Sequence, residues 1–136
     1  MNEPLSETSA TDTRPLLVAA DWQSRALLLA ELQERGIEVR TEAGVRWATR
    51  ALMHERLAPP LLLLDTTSDP DATPDKVERL LAILAEDGVH PTLLFLVSVF
   101  GLAEWQEPFG NRATILTRPR TVNEVATLVQ ALLRQQ

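Results

Sequence analysis

Cysteine is absent from the 136-residue chain, which excludes disulfide scaffolds, thiolate metal sites and cysteine nucleophiles together. Histidine is almost absent. With only His54 and His90, a histidine metal cage would need carboxylates to complete it. Neither histidine has a serine or acid at motif spacing, so no catalytic triad is arguable. Gly36, Gly44, Gly88, Gly101 and Gly110 stand isolated, and no GxGxxG or GxxxxGK run occurs, which leaves a nucleotide phosphate without a glycine cradle. Long apolar runs are missing too: Leu61–Leu64 and Leu93–Val99 fall far short of the ~20 residues of a membrane-spanning helix. Basic residues are outnumbered, 13 against 19 acidic ones, for a net charge of −6. A nucleic-acid module needs a basic face, so DNA and RNA are not expected partners.

What is present amounts to one domain. Hydrophobic residues make up 45% and charged residues 24% of the chain, the balance of an ordinary globular protein. Residues 1–13 are polar, carrying Glu3, Glu7 and Asp12. They lack the basic start and apolar middle of a signal peptide, so the expected location is the cytoplasm. This segment reads as a flexible tail, with too little apolar surface to offset its ordering entropy. The domain is expected over residues 14–136.

From Arg14 onward the chain alternates. Pro15–Ala20 is a short continuous apolar run, as expected of a strand buried on both faces. Trp22–Arg35 carries Leu27, Leu28 and Leu32 at helical spacing and is stopped by Gly36. Residues 37–41 alternate apolar and polar, which predicts an edge strand. A helix is expected over Ala43–Leu57, closed by Pro59-Pro60, before the second fully apolar strand, Leu61–Asp65. Thr73-Pro74 predicts a capped helix start with proline at N1. Thr92–Val99 and Ala113–Thr117 are further strands, and Thr121 with Glu124 forms a capping box for a last helix. Residues 100–111 are weakly patterned, with a short helix around Trp105 at best. There Trp105, Phe100 and Phe109 are expected to form an exposed contact surface.

Strands alternating with helical segments predict a parallel sheet with helices on both faces. In such sheets sites lie at the carboxyl ends of the strands, where strand order reverses. Asp21 and Asp65 both end apolar runs and so are expected to face one crevice, with Ser98 and Arg118 at neighbouring strand ends. Asp21 stands directly before a helix and is equally an N-cap. Ser98 is equally a small polar residue where a strand leaves the core.

Asp65 after the third strand, Ser98 after the fourth, and Leu116-Thr117-Arg118-Pro119 after the fifth, in this order of elements, resemble the response-regulator receiver domain of bacterial two-component signalling. The resemblance covers roughly residues 14–134. It implies a flavodoxin-like (βα)5 three-layer fold whose five-stranded parallel sheet has the order 2-1-3-4-5. It also implies that Asp65 holds the phosphoacceptor position, that Ser98 senses the phosphate and that Arg118 stands where the family has lysine. Two adjacent acids at the end of strand one hold Mg²⁺ in that family. An ungapped alignment on Arg25, Leu28, Leu32 and Gly36 puts Ala19 and Ala20 there, while one deletion would put Asp21, with Asp65, on the metal.

These departures point to a degenerate or pseudo-receiver, similar to those inside hybrid sensor histidine kinases. Mg²⁺ neutralises the transferring phosphoryl group and is held by carboxylates, so its binding here is expected to be weak or absent. A guanidinium is a planar fork where lysine is a point charge, and Arg118 could close the site on Asp65 without phosphate. Asp69 and Asp71 in the following loop would repel a phosphodonor unless a cation is bound. The function implied is a non-enzymatic regulatory module that binds a histidine kinase, another signalling protein or a second copy of itself. The implied docking face comprises Trp105, Phe109, Arg112, Val122 and Val125. The alternatives are a working phosphoacceptor in a phosphorelay, taking phosphoryl onto Asp65 with Mg²⁺, and a small flavodoxin-like enzyme or cofactor binder, for which fold analogy alone is thin support.

Overall fold

Four leucines followed by an aspartate cannot alternate between core and solvent, so the strand they form must be covered on both faces. In the computed structural model, which describes residues 10–136, every residue of this strand, β5 (Leu61–Asp65), is buried. It pairs in parallel with β2 (Leu16–Ala19) on one side and β6 (Thr92–Val97) on the other. Strand β3 (Arg40–Glu42) flanks β2, and β7 (Ala113–Thr117) flanks β6. The sheet order is β3-β2-β5-β6-β7, which is 2-1-3-4-5 when only these five strands are counted.

Helices α1 (Trp22–Glu34) and α5 (Val122–Arg134) cover one face, packing Leu28, Leu32, Val125 and Val129 against Leu17, Leu63 and Leu94. The other face takes α2 (Val45–Ala51), α3 (Pro74–Glu86) and α4 (Leu102–Phe109), which bring Val45, Val77, Leu80, Trp105 and Phe109 onto Val18, Leu64 and Phe95. The ends follow local chemistry. Thr121 accepts from the Glu124 amide at 3.0 Å while Glu124 accepts from the Thr121 amide at 2.8 Å, the expected reciprocal cap of α5. Gly36, at φ 76°, turns the chain out of α1, and the Ile37 amide bonds back to the Leu32 carbonyl at 2.9 Å. That bond delays the edge strand to Arg40, three residues later than the alternation predicts.

A two-stranded parallel pair lies outside the main sheet and was not expected. It joins β1 (Thr11–Asp12) to β4 (Arg56–Leu57), so α2 stops at Ala51 instead of reaching Leu57. Thr11 and Asp12, assigned by composition to the polar tail, are therefore paired residues; residues 1–9 of that tail lie outside the described region. Charge explains what composition missed. The Arg40 guanidinium gathers Asp12 (3.5 Å), Glu42 (2.8 Å) and Glu55 (2.7 Å), tying the start of the chain to β3 and to the end of the α2 segment.

The largest correction concerns residues 100–111. The expected short helix forms there as α4, after the 3-10 turn Val99–Gly101, but its Trp105 and Phe109 are 3% and 0% exposed. Both rings stand against Phe95, with centroids 5.3 and 5.1 Å away and edge-to-face geometry. One turn apart on α4, they make a single apolar wedge, and burying it outweighs the weak helical pattern around it. Neither residue is available as a contact surface. Val125 is also buried and Val122 half-buried, and Arg112 is exposed but paired with Glu78 at 2.8 Å. Phe100 alone of that aromatic group is fully exposed.

Among the described residues no helix is long and apolar enough to cross a membrane.

Candidate functional site at the carboxyl ends of the strands

Strand register sets the site. Ala19, Asp65 and Leu96 stand level across β2, β5 and β6, and Arg118 follows the last residue of β7, its amide bonded to the Val97 carbonyl at 2.9 Å. From there the Arg118 side chain reaches back over the end of β6. Its Nη1 donates to Asp65 Oδ1 at 3.1 Å, to the Thr66 hydroxyl at 3.1 Å and to the Leu96 carbonyl at 2.9 Å. The Thr67 amide donates to the same Asp65 oxygen at 2.9 Å. The peptide bond between Arg118 and Pro119 is cis.

Asp65 is 3% exposed and is the one buried charged residue among those described. A carboxylate removed from water needs a cation and hydrogen bonds to offset its desolvation, and Arg118 with the Thr67 amide supplies both. The expected salt bridge across the crevice is therefore formed. Thr66 completes it: its hydroxyl donates to the Leu96 carbonyl at 3.0 Å while accepting from Arg118.

Among the described residues the remaining expected members make no hydrogen bond to this cluster. Asp21 caps α1, accepting from the Ser24 amide at 2.9 Å; that bond holds its carboxyl below the usual carboxylate range. The Ser98 hydroxyl oxygen accepts from the Gly101 amide at 3.0 Å and starts the short 3-10 turn Val99–Gly101. Asp69 and Asp71 are occupied too. Asp69 caps α2 through the Val45 amide at 2.9 Å, and Asp71 pairs with Lys76 at 2.5 Å. Where an acidic pair would stand, Ala19 and Ala20 offer only carbonyls, and Arg25 Nη1 donates to these at 2.6 and 3.4 Å.

Mg²⁺ is usually held by one or two carboxylates together with phosphate oxygens and water; Asp65 offers one, and Ala19 and Ala20 offer none beside it. Among the described residues no three Asp, Glu or His side chains converge on one point. Cationic charge at these strand ends comes from Arg25 and Arg118 instead. Sequence reasoning missed Thr66 and Arg25 as members of the site. The only signals for them were adjacency to Asp65 and a position one helical turn after Asp21. Beside Asp65 and Arg118 a hollow of about 300 Å³ opens between α1 and α5, floored by Leu27, Leu28, Leu96 and Val122.

No family model and no curated protein matches the sequence. Solved structures do match. The receiver domain of Francisella response regulator 1452 superposes with a TM-score of 0.69 at 16% identity, over 91% of this chain and 98% of that one. The receiver domain of NtrX from Brucella abortus gives 0.66 at 17% identity, over 89% and 98%. This chain has the receiver-domain fold. A structure of adenylate cyclase from Rhodopirellula baltica shares the receiver-like architecture, with a TM-score of 0.74 at 17% identity over 91% and 89%. The fold and the place of Asp65 at the end of the central strand thus agree with the resemblance seen in the sequence.

Proposed function

We propose that the chain is a two-component receiver-like module of the cytoplasm that regulates a histidine kinase or another signalling protein through contact, with phosphorylation at Asp65 weak or lost. The observation that carries this reading is the closed pair: Arg118 and the Thr67 amide already satisfy Asp65 Oδ1. Phosphoryl transfer depends on charge neutralisation around the transferred group. Ala19 and Ala20 bring no carboxylate to the end of β2, and Asp21, next along the chain, is engaged in capping α1. The likeness to an adenylate cyclase brings that protein's fold but no catalytic residues, so an enzymatic role gains no support from it.

One observation favours a working phosphoacceptor. Among the described residues, no hydrogen bond is made to Asp65 Oδ2, so that oxygen is free to attack. Beryllofluoride, which mimics an aspartyl phosphate, separates the two readings without the kinase. Backbone amide shifts followed by NMR, first with Mg²⁺ and then with beryllofluoride, are expected to stay unchanged up to millimolar ligand. Saturable shifts around Asp65, Ser98 and Arg118 would restore the phosphoacceptor reading.

A further inference from the structure

We infer that the groove between α2 and α3 docks an acidic, extended segment of a partner protein. Arg46, Arg50 and Arg79 receive its carboxylates and Trp47 receives an apolar side chain. This deepens the reading of the chain as a protein-binding module and rests on it. The beryllofluoride titration reads Asp65 alone, so either conclusion can fail without the other.

Pairing is the first observation. Arg14, Arg35, Arg40, Arg112, Arg118 and Arg120 each have an acidic partner within 4 Å. Among the described residues Arg25, Arg46, Arg50, Arg56, Arg79 and Arg134 have none, although the chain as a whole carries a charge of −6; of these, Arg46 and Arg79 line one hollow and Arg50 shares the Trp47 ring with Arg46. Asp71, at the edge of the hollow, is held by Lys76, and Glu55 by Arg40, while Asp75, exposed in the first turn of α3, has no basic partner within 4 Å among the described residues.

Shape is the second. Arg46, Thr49, Lys76 and Arg79 line a hollow of about 260 Å³ with Asp71 at one side. On its flank Trp47 is 48% exposed. The Arg46 and Arg50 guanidinium carbons lie 6.0 and 5.6 Å from its ring centroid. Cation–π contact holds the three side chains together as a platform. Arginine and tryptophan around a concavity are the residue types that carry binding energy at protein interfaces. A long anionic polymer or membrane would feel the repulsion of the whole acidic molecule, whereas a short segment meets only the local positive field.

The test uses a fluorescein-labelled peptide of alternating glutamate and leucine, followed by fluorescence anisotropy on the full chain. Saturable binding that weakens with salt is expected, and none to the same peptide with glutamine for glutamate. The double variant R46E/R79E and the single variant W47A should each weaken binding about tenfold or more. R134E, which removes a distant unpaired arginine on α5, should leave it unchanged. Circular dichroism on each variant verifies folding, and the milder R50Q, expected to give a smaller loss, serves if a charge reversal disturbs the fold. Absence of saturable binding, an equal loss in R134E, or tighter binding of a short DNA duplex or of phosphatidylserine vesicles would overturn the proposal.

Discussion

Asp65 and Arg118 are partners of unequal position. The carboxylate is 4% exposed and the guanidinium 29%, so removing one does not cost what removing the other does. Arg118→Met leaves a buried carboxylate with only the Thr67 amide, and a loss of about 3 kcal/mol is expected, the usual penalty of an uncompensated buried charge. Asp65→Asn leaves Arg118 donating to Thr66 and the Leu96 carbonyl, with solvent at its other edge, and about 1 kcal/mol is expected. Urea unfolding of both variants measures the order; a larger loss for Asp65→Asn would mean that the pair does not set local stability. The strand-end positions of Asp65 and Arg118 were legible in the sequence because each directly follows an apolar run. The part played by Thr66 was not, because it depends on a side chain reaching over β6 from β7. Ser98 stands at the expected strand end, and what the alternation did not show is that its hydroxyl is taken by the backbone three residues on, a competition common for serine at a helix start.

Among the elements, the β1–β4 pair combines backbone pairing with charge. Asp12 is lowered from 3.8 to about 2, first by its hydrogen bonds from the Arg14 side chain and further by Arg40. Arg40 likewise holds Glu55 below the usual carboxylate range. Groups whose folded pKa lies below the unfolded one stabilise the fold fully above the unfolded value and lose that contribution as pH falls through the folded value. The protein should therefore lose stability between about pH 4 and pH 2 through these carboxylates. Asp12→Asn should melt lower than the parent at neutral pH and converge with it near pH 2. A constant difference in Tm across that range would show that Asp12 acts by packing rather than by its charge. No periodicity signals a two-residue strand, and the acids that reach Arg40 come from β1, from its own strand and from the turn after α2. The regular helices, by contrast, announced their ends locally, α5 by its capping box and α1 by Asp21 and Gly36.

The whole molecule depends on the aromatic wedge that the sequence placed on the surface. Phe95, Trp105 and Phe109 fill the core between β6 and α4 with centroids 5.1 to 5.8 Å apart. Phe109→Ala should cost about 3–5 kcal/mol and lower the midpoint of a cooperative urea transition. A cost below about 1 kcal/mol would return Phe109 to the surface role. By itself the sequence determined the alternation of strands and helices, the parallel sheet and the positions of Asp65 and Arg118. Those follow from continuous apolar runs, caps and strand ends, which are local properties of the chain. Only the tertiary structure decided that Asp65 is closed by Arg118, that Asp69 caps α2, that Thr11 and Asp12 join β4, and that Trp105 is core while Trp47 is surface. A tryptophan's burial and a carboxylate's partner are set by what other elements bring against them across the sheet, and no spacing along one segment encodes that.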